Sequence, residues 1–171
     1  MPEWGQRLRS LLEKAIGQPG RTYETLRSMA LGVDSSMIVL PDGQSWGGAL
    51  VAAMEIGLPT ATVTIVATAD GTVSMYTSAG GGVIGAGGHA AVRGVAERFR
   101  TLAAESRGLL DRSDEFLMPE PGEVRFHART ADGDYSGGAP EAVLRTARHP
   151  LAPLYAAGQD LLTEIRLSTQ R

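Results

Sequence analysis

The chain has 171 residues, 43% of them hydrophobic and 20% charged, with a formal net charge of -3. That balance fits one soluble domain of 1–171 that buries roughly two thirds of its unfolded surface, and it argues against a general nucleic-acid or anionic-membrane surface. The lack of cysteine excludes disulfides, thiolate zinc sites and cysteine nucleophiles together, and Lys14 is the only lysine among 16 basic residues.

The start, Met1-Pro2-Glu3-Trp4, has neither the positive nor the apolar region of a secretory signal. No apolar run approaches the roughly 18 residues of a membrane span. A cytoplasmic protein is the expectation.

In chain order, Trp4, Leu8, Leu11, Leu12 and Ala15 recur at helical spacing and predict an amphipathic first helix closed by Gly17 and Pro19. Thr22 is placed to cap a second helix in which Tyr23, Leu26 and Met29 share a face and Gly32 ends the run. From Ser36 the pattern becomes strand-like. The pairs Asp42-Gly43, Asp70-Gly71 and Asp132-Gly133 each predict a hairpin, because both residue types tolerate the left-handed turn conformation. The first would join Met37–Leu40 to part of Ala49–Ile56, a segment whose alanines suit helix as well as strand. The second joins alternating, β-branched arms, Thr62–Thr68 and Thr72–Tyr76.

After a run of glycines, Val92, Val95, Ala96, Phe99, Leu102 and Ala103 make one stripe of a helix from about His89 to about Leu110. Ser113–Gly122, with Pro119 and Pro121, reads as a connecting loop. Val124, Phe126 and Ala128 then alternate with Arg125, His127 and Arg129, and the third turn leads to a short partner strand near Tyr135. Pro140 and Pro150 introduce two closing helices. Hairpins in place of helical crossovers predict an α+β fold, an antiparallel meander sheet of about five or six strands packed by amphipathic helices.

The chain is organised around Thr72–Val92, where a strand runs through the glycines into a helix. Gly80, Gly82 and Gly85 satisfy the G-x-G-x-x-G spacing, but the preceding strand belongs to a hairpin and no following strand supplies a ribose-binding acid. No Lys-Ser/Thr pair follows the glycines, which excludes a Walker loop. Two readings remain for Gly80, Gly81, Gly82, Gly85, Gly87 and Gly88. Their N–H groups cradle a phosphate or carboxylate at the helix start, or the glycines permit close backbone packing.

His89, opening the helix, is the candidate acid–base residue, with a capping role as its alternative. Arg125, His127 and Arg129 share one strand face and could grip an acidic ligand, or simply face water. The three histidines show no metal-ligand spacing, and Asp132-Gly133-Asp134 lacks the remaining ligands of a calcium loop. Ser74, Ser78 and Ser136 have no motif linking them to a histidine or an acid, which leaves open only a triad assembled in three dimensions. No cofactor or metal is expected.

The run SxGGGxIGxGxH, here Ser78, Gly80, Gly81, Gly82, Ile84, Gly85, Gly87 and His89, resembles a group of bacterial proteins with no assigned activity. The likeness extends to His149-Pro150-Leu151 and covers about two thirds of the chain. That group has an acidic residue before the histidine where this chain has Gly88, so no acid–histidine role carries over. The order of helices and meander is also similar to roadblock and longin interaction domains, by analogy of order alone. The expectation is a non-enzymatic interaction or homo-oligomerisation module, with no nucleic-acid or membrane partner. The alternative is a binder of a small anionic ligand, or an enzyme, using Gly80–His89, with Arg125, His127 or Arg129 converging on it.

Overall fold

The computed structural model describes residues 19–38, 40 and 46–170, together with Gln6 and Ser10. The expected first helix lies outside the described residues apart from those two positions, and the Asp42-Gly43 turn lies outside them entirely.

The fold is α+β, built on an open seven-stranded antiparallel sheet in the order β4-β3-β2-β1-β6-β7-β5. The strands are β1 (Val51–Gly57), β2 (Thr62–Thr68), β3 (Val73–Thr77), β4 (Gly82–Ile84), β5 (Asp111–Arg112), β6 (Glu123–Thr130) and β7 (Gly133–Pro140). The α-helices among the described residues are α1 (Pro19–Leu31), α2 (Ala90–Glu105), α3 (Glu141–Leu144) and α4 (Ala152–Ser168).

β1 settles the ambiguity of Ala49–Ile56 in favour of strand. It pairs with β2, Val51 opposite Thr68 through Gly57 opposite Thr62, and with β6, Val51 opposite Arg129 through Ile56 opposite Val124. Neighbours on both edges and cover on both faces bury every residue of the strand, which is why it reads as an apolar run and not an alternation. Those same neighbours leave Met37–Leu40 no edge of β1 to pair with, and Met37 closes a 3₁₀ turn, Ser35–Met37, instead. The hairpins at Asp70-Gly71 and Asp132-Gly133 form as expected, the second with Thr130 opposite Gly133. The strand count exceeds the expected five or six because of β4 and β5, edge strands of three and two residues. α1 begins at Pro19, so Thr22 lies inside the helix and is not its cap; α2 ends at Glu105, followed by a 3₁₀ turn to Leu109.

The period of two sorts the sheet into two cores. Ala52, Met54, Ile56, Ile65, Ala67, Phe126 and Ala128 face Val92, Ala96, Phe99 and Ala103 of α2 and Leu154, Leu161 and Ile165 of α4. On the other side Val51, Ala53, Val66 and Tyr76 meet Tyr23, Leu26, Ala30 and Leu31 of α1. Glu55, in step with Val51 and Ala53, therefore belongs to the α1 side.

α4 comes close enough to the sheet that a Cβ on Gly158 would stand 2.5 Å from Met54 Sδ and 3.4 Å from Phe99 Cε2. Helix propensity favours alanine there by about 1 kcal/mol, while overpacking costs about 1–3 kcal/mol and Met54 can yield only in part. Gly158→Ala is expected to lose about 1 kcal/mol net in urea unfolding, against the usual sign of a glycine-to-alanine change in a helix. A gain in stability would show that Met54 moves freely.

No helix among the described residues is long and apolar enough to cross a membrane.

Candidate functional site

The glycine run resolves into two devices. Gly80 and Gly81, at φ 101 and 83, turn the β3–β4 hairpin, where Thr77 N–H donates to Gly81 O (3.1 Å) and Thr77 Oγ1 to Gly80 O (2.7 Å). Gly82 opens β4. Gly85, at φ 82, then starts a 3₁₀ turn over Ala86–Gly88, and His89 is the N-cap residue of α2 with no capping side-chain bond.

Three of the amides that would cradle an anion have backbone partners. Gly85 N–H donates to Val73 O (3.0 Å), Gly88 N–H to Gly85 O (3.2 Å) and His89 N–H to Ala86 O (3.1 Å). Gly87 is needed for close approach, because a Cβ there would lie 1.9 Å from Gly71 O. Packing of the two turns, Asp70-Gly71 against Ala86–Gly88, thus rests on Gly87, while Gly85 supplies the left-handed turn residue. His89 is exposed.

A cavity of about 310 Å³ opens beside that contact, lined by the Asp70–Thr72 turn, Gly85, Gly87, Gly88 and Arg93. Gly80, Gly81 and Gly82 take no part in it. Arg93 folds back so that Nε and Nη2 donate to the carbonyls of Gly87 (3.3 Å) and Gly88 (3.4 Å). Asp70 Oδ1 accepts from Thr68 Oγ1 (2.5 Å) and Thr72 N–H (2.9 Å), closing the turn. Asp70 Oδ2 and Thr72 Oγ1 are buried without a hydrogen-bond partner in the protein, at a cost of about 1–3 kcal/mol each.

Arg125, His127 and Arg129 do not converge on this place. They lie on β6, with β1 and β2 between them and β3, and their face is the one under α1. The expectation of a wet or ligand-gripping face gives way to internal pairing. Arg125 Nη1 donates to Glu123 Oε1 (3.0 Å). Arg129 Nη1 donates to Leu31 O (3.0 Å) and Val33 O (2.6 Å), neutralising carbonyls at and just past the end of α1, and Nε reaches Asp134 Oδ1 (3.2 Å).

His127 joins a second constellation, centred on Glu55. Glu55 is fully buried and accepts from Arg27 at both oxygens, Nε to Oε1 (2.7 Å) and Nη2 to Oε2 (2.6 Å). Thr64 Oγ1 donates to Oε1 (2.8 Å), and His127 Nε2 lies 2.9 Å from Oε2. Thr64 has one hydroxyl proton and gives it to Glu55, so the 2.8 Å contact with Tyr23 is Tyr23 O–H donating to Thr64 Oγ1. Burial alone would push the Glu55 carboxyl up, but the hydrogen bonds from His127 and Arg27 outweigh it and hold the group down at about 2. Burial, with Glu55's charge beside it, pushes the Tyr23 phenol up to about 12, so it remains a donor.

An ionised carboxylate only accepts, which places a proton on His127 Nε2. In neutral His127, Nδ1 then accepts from Ser136 O–H at 2.9 Å, across the β6–β7 pair. Serine, histidine and acid stand in the order of a hydrolytic relay. Access argues otherwise. Ser136 is 3% and His127 1% exposed, and Phe116 packs edge-on over the imidazole at 5.3 Å with its carbonyl held by Arg27 Nη2 (2.6 Å). A substrate carbonyl has no room at Ser136 Oγ in this conformation. The network's evident work is to knot α1, β1, β2, β6 and β7 together.

The sequence reading missed Tyr23, Arg27, Glu55 and Thr64 as members of this network. The available signal was Glu55 itself, a lone carboxylate in the otherwise uncharged run Val51–Gly57. Among the described residues no cluster of three His, Asp or Glu side chains is placed to hold a metal ion. Comparison with protein-family models, curated proteins and solved structures finds no match for the chain.

Proposed function

We propose that the chain is a non-enzymatic interaction module that docks a partner protein through the loop end of β1 and β6. What carries this reading is the exposure of Leu58 (41%), Leu117 (57%) and Met118 (44%) beside a polar network that is sealed. The β1–β2 turn and the 113–122 segment meet at Gly57, where Gly122 N–H donates to Gly57 O (2.8 Å) and a Cβ would stand 2.0 Å from Glu120 O. The three apolar side chains therefore project at the same end of the sheet, a feature that marks interaction surfaces.

Asp114, Glu115 and Glu120 flank Leu117 and Met118 and are exposed. In a two-fold pairing of identical chains these acids would face one another, so an apolar partner surface with a basic rim fits better than a second copy.

Leu117→Ser with Met118→Ser is the test, by affinity capture from the source cell's lysate at low and high salt. Losing the two side chains removes roughly 2–3 kcal/mol of apolar burial, about a 30- to 150-fold weaker complex, and high salt should weaken the wild-type complex as well. Proteins held equally by both forms would overturn the reading. So would a stable dimer, seen by light scattering, that survives the double substitution.

A further inference from the structure

The cavity beside Arg93 has a neighbour of about 260 Å³ along α2, and Asp70, Gly71 and Arg93 line both. Together they make one cleft between the β2–β3 turn and the first turns of α2. Directly behind its walls lies hydrogen-bonding capacity that the fold does not use. Thr72 is 2% exposed, lines the cleft, and its hydroxyl has no partner within the protein. Asp70 closes its turn with Oδ1 alone, a task an asparagine would do as well, and Oδ2 is unpartnered. Arg93 places only two of its N–H donors, both on carbonyls and both at long distance, 3.3 and 3.4 Å.

Charge decides the class of ligand. Arg93 and Arg100 are opposed by Asp70 and Glu97 along the same walls, so a bare polyanion such as phosphate would gain from the arginines and lose to the acids. A ligand with an acceptor group at one end and a donor next to it satisfies both. We propose that this cleft binds a small α-hydroxy or α-amino carboxylic acid. The ligand carboxylate pairs with the exposed Arg93 guanidinium, and a small rotation of the Thr72 and Asp70 side chains, whose Oγ1 and Oδ2 are covered in this conformation, lets the hydroxyl join the carboxylate and Oδ2 accept from the α-OH or α-ammonium. The site stands on residues other than those of the proposed docking surface, and either can fail without the other.

Amide NMR titration of the full chain with glycolate, glycine, acetate and inorganic phosphate tests it. Glycolate or glycine is expected to shift resonances of Gly71–Val73 and Gly85–Arg93 in a saturable way, at least about tenfold more tightly than acetate or phosphate. Arg93→Met, at an exposed position, should weaken binding by about tenfold or more. Asp70→Asn keeps the acceptor that closes the turn and should bring glycolate and glycine down to the level of acetate. Saturation by none of the four probes overturns the proposal. So does equal affinity for acetate and glycolate in the wild type, which would indicate a general anion contact, or binding that Arg93→Met leaves unchanged.

Discussion

Glu55→Gln is expected to lose about 3–5 kcal/mol of stability in urea unfolding, the range for removing one partner of a buried ion pair. The cause is local. Glu55 has no exposed side-chain surface and Arg27 only 13%, and the carboxylate meets donors at both oxygens. A glutamine amide must turn its N–H₂ toward Arg27 in either orientation, and toward His127 as well in one of them, setting donor against donor in a site that water does not reach. The companion substitution Arg27→Met relieves that conflict, so the double variant should be less damaged than the sum of the singles by about 2 kcal/mol.

The same group sets an acid limb. The folded carboxyl sits at about 2 against an ordinary value of 4.5. Its contribution is therefore present in full above pH 4.5 and is lost as pH falls through 2, to a total of about 3 kcal/mol. Glu55→Gln should lack that part of the pH slope. A variant within about 1 kcal/mol of wild type, with an unchanged acid limb, would mean that the network does not hold α1 to the sheet.

Why this network escaped a reading of the sequence is a matter of range. Period-two alternation correctly separates Val124, Phe126 and Ala128 from Arg125, His127 and Arg129, and it supports the β2–β3 hairpin, because both signals lie within a few residues of chain. It does not say what covers each face. The cover comes from far away: Glu55 lies 72 residues from His127, and Leu31 lies 98 from Arg129. Thr64 and Thr68, the polar arm of β2, look solvent-facing by type, yet both are buried, one in the Glu55 network and one under the Asp70 turn. Polarity of a strand face does not make it wet.

The short edges failed for a different reason. β4 is Gly-Val-Ile inside the glycine run and β5 is Asp-Arg, each shorter than one full alternation of faces can register. The antiparallel order was legible because it rests on turn chemistry, Asp-Gly at residues 70–71 and 132–133, which does not depend on strand length; the crossover through α2, from edge strand β4 to the far side of β1, was not, and it too delivers an antiparallel neighbour in β6.

The glycine run gives the second large effect, and its members should separate sharply. Gly87→Ala is expected to lose about 3 kcal/mol or more. Its Cβ would collide with Gly71 O at 1.9 Å, and the colliding group is backbone at a turn fixed by Asp70 and Thr68, not a side chain that can swing away. Gly85→Ala forces a left-handed residue at φ 82 and should lose about 1–2 kcal/mol. At Gly88 a Cβ meets nothing within 4 Å and φ is not positive, so Gly88→Ala should stay within about 0.5 kcal/mol or gain slightly from a stiffer unfolded chain.

An anion cradle would give another order, because it needs open amides more than close packing, and Gly88 would then matter to ligand and not to fold. Equal losses at all three positions in thermal or urea unfolding would contradict the packing role. The cleft links the two questions. Gly87→Ala pushes the Asp70 turn away from Arg93 and should weaken glycolate or glycine binding along with stability, whereas Gly88→Ala should leave both near the wild type. A ligand affinity that falls with Gly88 but not with Gly87 would return recognition to the amides and take it from the side chains of Asp70, Thr72 and Arg93.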